Sequence, residues 1–577
     1  MPQEQSDWLR VPVGDEARRW ASRGRCRRVL LVVHNVTSAT RLLDVLPLFR
    51  DDLRVQLLAT CTGSSPFQAG TAELLHGLGI PVLPWEQALA TPVDLAIAAS
   101  FGGQLPEISG DLTVLSHGVG YNKKLASREP GAGSREPGAG VFGLSEEWLL
   151  AGGRPVADVM VLSHPEQLAR LRAACPEAAS TAVLAGDPCY DRLLAAAPHR
   201  GRFRRALGVR REQRLVLINS TWNPEALFGD GGSDVLPRLL PALTAELPAD
   251  EYRVAAVLHP NIWHGHGPGQ IRMWLDGARR AGLALVDPLH DWRQALIAAD
   301  LVLGDFGSVS YYAAALRTPV LLGATHLPGL GADSPVADFV RRAPRFDPHA
   351  PLRPQLTRVL TAHEQAPADP AEFVSSDPGR SAELLRRTFY SRIGIPEPAG
   401  RALLDPLRTP AYDPPRRTAP MQVVTQVTGP GEVSVTRHAG LDAEPVAGGQ
   451  AHTAVHEDTL DPSHLSLADV VLRHGEPDDP RFGPPTQWAA EVLARHRHCA
   501  LAAYVTGPGS CIAVSRGRAP LLLTAREQDA ADPAAYASAL HAWLASGKEL
   551  AELDGVLAVR TGTAVHRVEV AEEVSRR

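Results

Sequence analysis

Two histidines and one turn of small residues hold the chemistry this sequence can offer. His117 stands in VLSHGVGYNKK and His259 in VLHPNIW, each just after an apolar run, and Gly307-Ser308 lies in DLVLGDFGSVSYYAAALRTPVLL, residues 300–322. An imidazole with an ordinary pKa of about 6.5 can take a proton from a hydroxyl. A second imidazole, if protonated, can spread the charge of a leaving group. In the turn, the apolar run 301–303 ends at Gly304-Asp305, a helical stretch follows over 309–316, Pro319 stops it, and 320–322 starts a new run. Such a strand, turn, helix, strand unit puts unpaired amides and the hydroxyls of Ser308 and Ser310 at a helix N-terminus, where an anion such as phosphate is favoured. Taken alone, the segment is better described as an ordinary crossover with a tight turn and an N-cap.

Other strand ends change that balance. His117-Gly118 follows the run 113–116, and Gly186-Asp187-Pro188-Cys189-Tyr190-Asp191 follows 182–185. Ser220-Thr221-Trp222-Asn223 follows 215–219, and His259-Pro260 follows 254–258. Singly these are loop residues and turns. As an ordered set they aim side chains into a crevice at the carboxyl ends of strands.

The elements that must position them are short apolar runs, the pattern of buried parallel strands, alternating with amphipathic stretches such as 38–49, 69–78 and 166–174. The runs fall in two sets, 29–34, 55–59, 95–99, 113–116, 159–163 and 182–185, then 215–219, 254–258, 284–286, 301–303 and 320–322. We therefore expect an α/β fold of two consecutive Rossmann-like units, residues 1–205 and 206–393, with a ligand cleft between them. A Pro- and Arg-rich linker follows over 394–420, then a smaller α+β module over 421–577 without recognisable chemistry. Its histidines lack tight ligand spacing and read as solvent or packing residues. Residues 127–140, SREPGAGSREPGAG, repeat a seven-residue unit and read as a mobile loop, or as a lid near His117.

Composition narrows the function. The 577 residues carry 58 Lys and Arg against 64 Asp and Glu, a formal charge of -6, which gives no general pull toward nucleic acid. The six cysteines form no C-x-x-C pair and read as thiols of a reducing compartment. Without a signal core or a bilayer-length apolar run, the expectation is a cytoplasmic protein whose membrane contact, if any, is peripheral at the inner face.

The order His117-Gly118 with Lys123-Lys124, GDPCYDRL at 186–193, STW at 220–222, LHP at 258–260 and D-x-x-x-x-D-F-G-S at 300–308 resembles the CDP-glycerol glycerophosphotransferase family over the first two-thirds of the chain. Those enzymes build the polyol-phosphate chains of teichoic acids. The resemblance implies a GT-B arrangement, with a nucleotide-diphosphate donor, CDP-linked by preference, on the second unit and a hydroxyl acceptor approaching from the first. It makes His117 the general base and sets His259 against the donor diphosphate. Asp305 and Ser308 fall on the family's Asp-Tyr-Ser-Ser signature, written here Asp-Phe-Gly-Ser, so two hydroxyls are lost. Gly118, Thr221, Trp222, Pro260, Gly307 and Ser310 are expected beside the donor, and Gly186, Asp187 and Asp191 as structural residues of the cleft. No metal-binding carboxylate pair is evident, and neither a metal nor a cofactor is expected. Two alternatives stay open: a GT-B glycosyltransferase or sugar-nucleotide epimerase with another donor, and a non-catalytic scaffold whose C-terminal module binds a protein partner.

Overall fold

The computed structural model describes residues 8–14, 16–116, 118–124, 140–363, 370–412, 414, 417–440, 449–476, 481, 483–526 and 531–573. His117 and residues 125–139, nearly all of the duplicated segment, lie outside the described residues.

Both sets of apolar runs form parallel sheets. The first has seven strands, in spatial order Val82–Leu83, Val55–Cys61, Arg27–Val33, Leu95–Ala98, Asp111–Val114, Val159–Leu162 and Ala182–Leu184. The second has five, Ala284–Leu285, Tyr252–Leu258, Arg214–Ser220, Leu301–Gly304 and Val320–Leu322. In each, the first strand of the chain lies inside the sheet, the next two extend it to one side, and the later ones to the other. That reversal is the doubly wound switch point, where loops diverge and leave a crevice. Central strands such as Leu301–Gly304 are buried throughout, which explains their unbroken apolar sequence.

Helix Ser381–Arg392 ends the second stretch of sequence but packs in the first unit. Leu385, Phe389 and Tyr390 join the core around Val29, Leu31 and Ile97, with Phe389 stacked 5.6 Å from Phe49. Asp191 holds the start of this helix, its carboxylate accepting the amides of Gly379 at 2.6 Å and Ser381 at 2.9 Å. Gly186, at φ +72°, lets the chain pass close by; a Cβ there would lie 3.0 Å from Ser375 Oγ and 3.3 Å from Ser381 Cβ.

The C-terminal region, expected as a smaller α+β module, is a closed β-barrel with helices. Nine strands between Met421 and Glu572 close into a barrel, Gln450–His456 pairing with Met421–Gly429 to complete it. Helix Pro533–Ala545 runs within it, touching strands on opposite sides, with Tyr536, Leu540 and Trp543 buried. Such a helix is apolar on every face because no face meets water. The barrel docks on the second unit through Arg437, whose guanidinium grips Asp250 at 2.7 and 2.6 Å and reaches Asp532 at 2.9 Å. Among the described residues no helix is long and apolar enough to cross a membrane.

Candidate functional site

A cleft opens between the carboxyl edges of the two sheets. It is lined by Ser116, Gly118 and Lys123 from the first unit and by Thr221, Trp222, His259, Gly307 and Ser308 from the second. Pro260 also lines it. Three of the four strand ends singled out in the sequence thus contribute residues to one place, while Gly186–Asp191 does not line it.

His259 caps helix Pro260–His266, a helix the sequence reading missed because PNIWHGH is poor in strong helix formers. Its Nδ1 accepts the Asn261 amide at 3.1 Å. A ring used this way holds its proton on Nε2 and acts as a neutral N–H donor; a doubly protonated ring would lose the cap. Thr37 Oγ1, from the first unit, donates to Asn261 Oδ1 at 3.4 Å, so the base of this helix is braced across the cleft. Phe67 sits edge-on to Trp222 at 5.0 Å in a second such contact.

The glycine-serine turn opens helix Ser308–Ala315, with Gly307 at the N-cap and no side chain capping it. Its members divide into two groups. Ser308 faces the first unit, its Oγ accepting the Val119 amide at 3.3 Å. A Cβ at Gly118 would come 2.7 Å from that oxygen, so glycine is what lets the two loops approach. Ser310, in contrast, is fully buried and exchanges hydrogen bonds with the Asn219 amide group at 3.1 and 3.2 Å. Asp305 is likewise buried; its carboxylate accepts the amides of Thr221 at 2.8 Å, Gly307 at 2.9 Å and Leu227 at 3.2 Å. Burial raises its pKa, against the pull of those amides and Lys123. Asp305 and Ser310 therefore shape the turn from behind, and Ser308 and the helix amides front the cleft.

Asp187 plays a similar part. It caps helix Pro188–Ala196 through the Cys189 and Tyr190 amides and accepts the Tyr312 hydroxyl from the second unit. Burial raises its pKa although Arg41 and Tyr312 oppose this. With Gly186 and Asp191 it belongs to the joint between units.

Two cationic residues were not singled out as site residues by the sequence reading. Lys123 Nζ donates to Thr221 Oγ1 at 2.8 Å and Asn223 Oδ1 at 3.1 Å. Arg41 lines the same cleft and lies 3.4 Å from Asp44, which also binds Arg192 and, at 2.6 Å, Arg293 of the second unit. Burial works against the Asp44 charge, but Arg293, Arg192 and Arg41 outweigh it and hold the carboxylate below its usual range. Lys123 was visible only as part of a lysine pair; nothing local marks Arg41.

No family model matches the chain, and no curated protein matches it. Among solved structures it is similar to the wall teichoic acid polymerase TagF, at 12% identity over 64% of this chain and 89% of that one, with a TM-score of 0.43. It is also similar to the UDP-GlcNAc 2-epimerases of Neisseria meningitidis, at 12% identity over 63% and 100% with a TM-score of 0.39, and of Methanocaldococcus jannaschii, at 10% over 63% and 99% with a TM-score of 0.38. At these values no residue role is carried over.

Proposed function

We propose that the protein is a GT-B-type transferase that moves a polyol-phosphate or related group from a nucleotide-diphosphate donor, CDP-linked by preference, to an acceptor hydroxyl. One observation carries this reading: His259, the open helix start at Gly307-Ser308, Ser116 and Gly118 border a single cleft between two parallel sheets. In-line transfer needs an activated hydroxyl, an aligned phosphorus and a stabilised leaving group. His117 takes the acceptor proton as the new oxygen–phosphorus bond forms and the bond to the departing nucleotide breaks. The Nε2 proton of His259 and the helix amides meet the negative charge left on the nucleotide phosphate.

The test is nucleotide protection against thermal unfolding together with turnover of CDP-glycerol. Cytidine diphosphate raises the melting temperature more than uridine or guanosine diphosphate, and His117→Ala and His259→Ala abolish turnover while the chain stays folded. A second donor class is favoured by one feature, the replacement of two hydroxyl side chains by Phe306 and Gly307 at the turn. If uridine diphosphate protects best, the enzyme takes a nucleotide sugar instead. Protection by no nucleotide would leave the scaffold reading.

A further inference from the structure

We propose that Lys123 is a ligand of the donor's diphosphate, delivered to the second unit's site by a segment of the first. The proposal rests on the donor reading above and gives a role to a residue that the sequence reading quoted only as part of a lysine pair.

Lys123 belongs by chain to the loop after strand Asp111–Val114. That loop is sewn to the opposite unit. Lys123 forms an isolated antiparallel bridge with Leu330, the Lys124 amide donates to Gly329 O at 2.9 Å, and the Gly331 amide donates to Asn122 O at 2.7 Å. The backbone is thereby fixed before any ligand enters. The side chain then crosses the faces of two aromatic rings, Nζ lying 5.7 Å from the centre of Phe306 and 5.8 Å from that of Trp222. An ammonium over aromatic faces is held by the ring quadrupoles and sheds part of its hydration. Phe306 immediately precedes the Gly307-Ser308 helix start, so the cation stands beside the amides best suited to phosphate.

Two of its contacts point the same way. Thr221 Oγ1 and Asn223 Oδ1 are neutral oxygens at ordinary hydrogen-bond distances. They aim the ammonium, whose charge also acts on the buried Asp305 carboxylate, and a phosphate oxygen forms a stronger, charge-assisted bond than either neutral oxygen. An arginine fork would demand planar, bidentate geometry, whereas a lysine point charge can follow the phosphate as negative charge moves onto the leaving group.

A clamp that merely joins the units would use the same contacts, so the test must read charge recognition separately from stability. Calorimetric titration of the full chain with cytidine and with cytidine diphosphate does this. We expect Lys123→Gln to weaken diphosphate binding about tenfold or more while cytidine binding stays within twofold. Lys123→Arg should keep most of the affinity, and raising salt should erode the wild-type preference for diphosphate but not that of Lys123→Gln. Should Lys123→Gln fail to fold, Lys123→Met keeps the aliphatic stem on Phe306 and Trp222 and carries the same measurement. Equal diphosphate affinity in wild type and the neutral variant reduces Lys123 to a clamp and leaves the donor reading standing. A wild-type chain that binds no nucleoside diphosphate overturns both.

Discussion

The cleft and the barrel both bury polar side chains, and they satisfy them to different degrees, with Arg41 Nε at the cleft and the Arg437–Asp532 pair at the barrel as exceptions. At the cleft, Asp305, Asp187, Ser310 and Asn219 are enclosed, and each meets an amide, a hydroxyl or an amide group on a neighbouring strand end. Inside the barrel, Tyr536 Oη, Ser538 Oγ, His541 Nδ1 and His452 Nε2 have no hydrogen-bond partner among the described residues. A satisfied buried network holds one geometry and can aim other groups, while an unsatisfied one only lowers stability. The difference assigns precision to the sheet edges and bulk packing to the barrel.

Four experiments break or sharpen that contrast. The largest effect belongs to the cleft: His259→Ala should cut turnover of CDP-glycerol by about 10² to 10⁴ in steady-state assays, with little change in melting temperature. Asp44→Ala comes next, because it takes the carboxylate from the buried Arg293 and from Arg192; chemical denaturation should register a loss of about 3–5 kcal/mol. Trp543→Ala empties the barrel core and should cost about 3–5 kcal/mol, yet nucleotide affinity by calorimetry should hold. If donor binding falls with it, the two regions are coupled and the contrast fails.

The smallest effect is on pH dependence. Burial pushes His452 down to about 3, with His541 adding to this, and pushes His34 down to about 4 against its bond to the Gly102 carbonyl. Both histidines stay neutral in the fold but take a proton near pH 6.5 once unfolded, so unfolding takes up protons below that pH. Their contribution is complete above pH 6.5 and fades as pH falls toward 4 and then 3. Denaturation midpoints measured from pH 7 to pH 4 should decline, and His452→Phe should flatten the slope. An unchanged slope would mean His452 is solvated rather than enclosed.

Much of the cleft was legible because parallel strands buried on both faces leave unbroken apolar runs, and the residues after them are where side chains turn outward. The pair Val82–Leu83 was too short to register. The barrel was harder. Strands Gln450–His456 and Ala564–Glu572 went unseen since polar side chains break them up, and Val470–His474 and Val556–Thr561 since their apolar runs are only three and four residues long. Without them, five strands and two helices looked like a smaller α+β module. Lys123 and Arg41 escaped for another reason. Their roles depend on Thr221 and Arg293, about 100 and 250 positions away, and no local pattern encodes such distances.

The backbone passes between the two sheet-bearing units three times, near Gly186, between Val374 and Ser381, and between Leu404 and Leu407, and the first two passages touch. Asp191 and Ser381 pin them together, and Ser163 O accepts the Ser376 amide at 2.9 Å in the same place. The Asp405 carbonyl accepts Arg192 Nε at 2.8 Å, which ties the third passage to helix Pro188–Ala196. Three joined passages resist shear between the units, and the barrel, bolted to the second unit through Arg437, follows that unit.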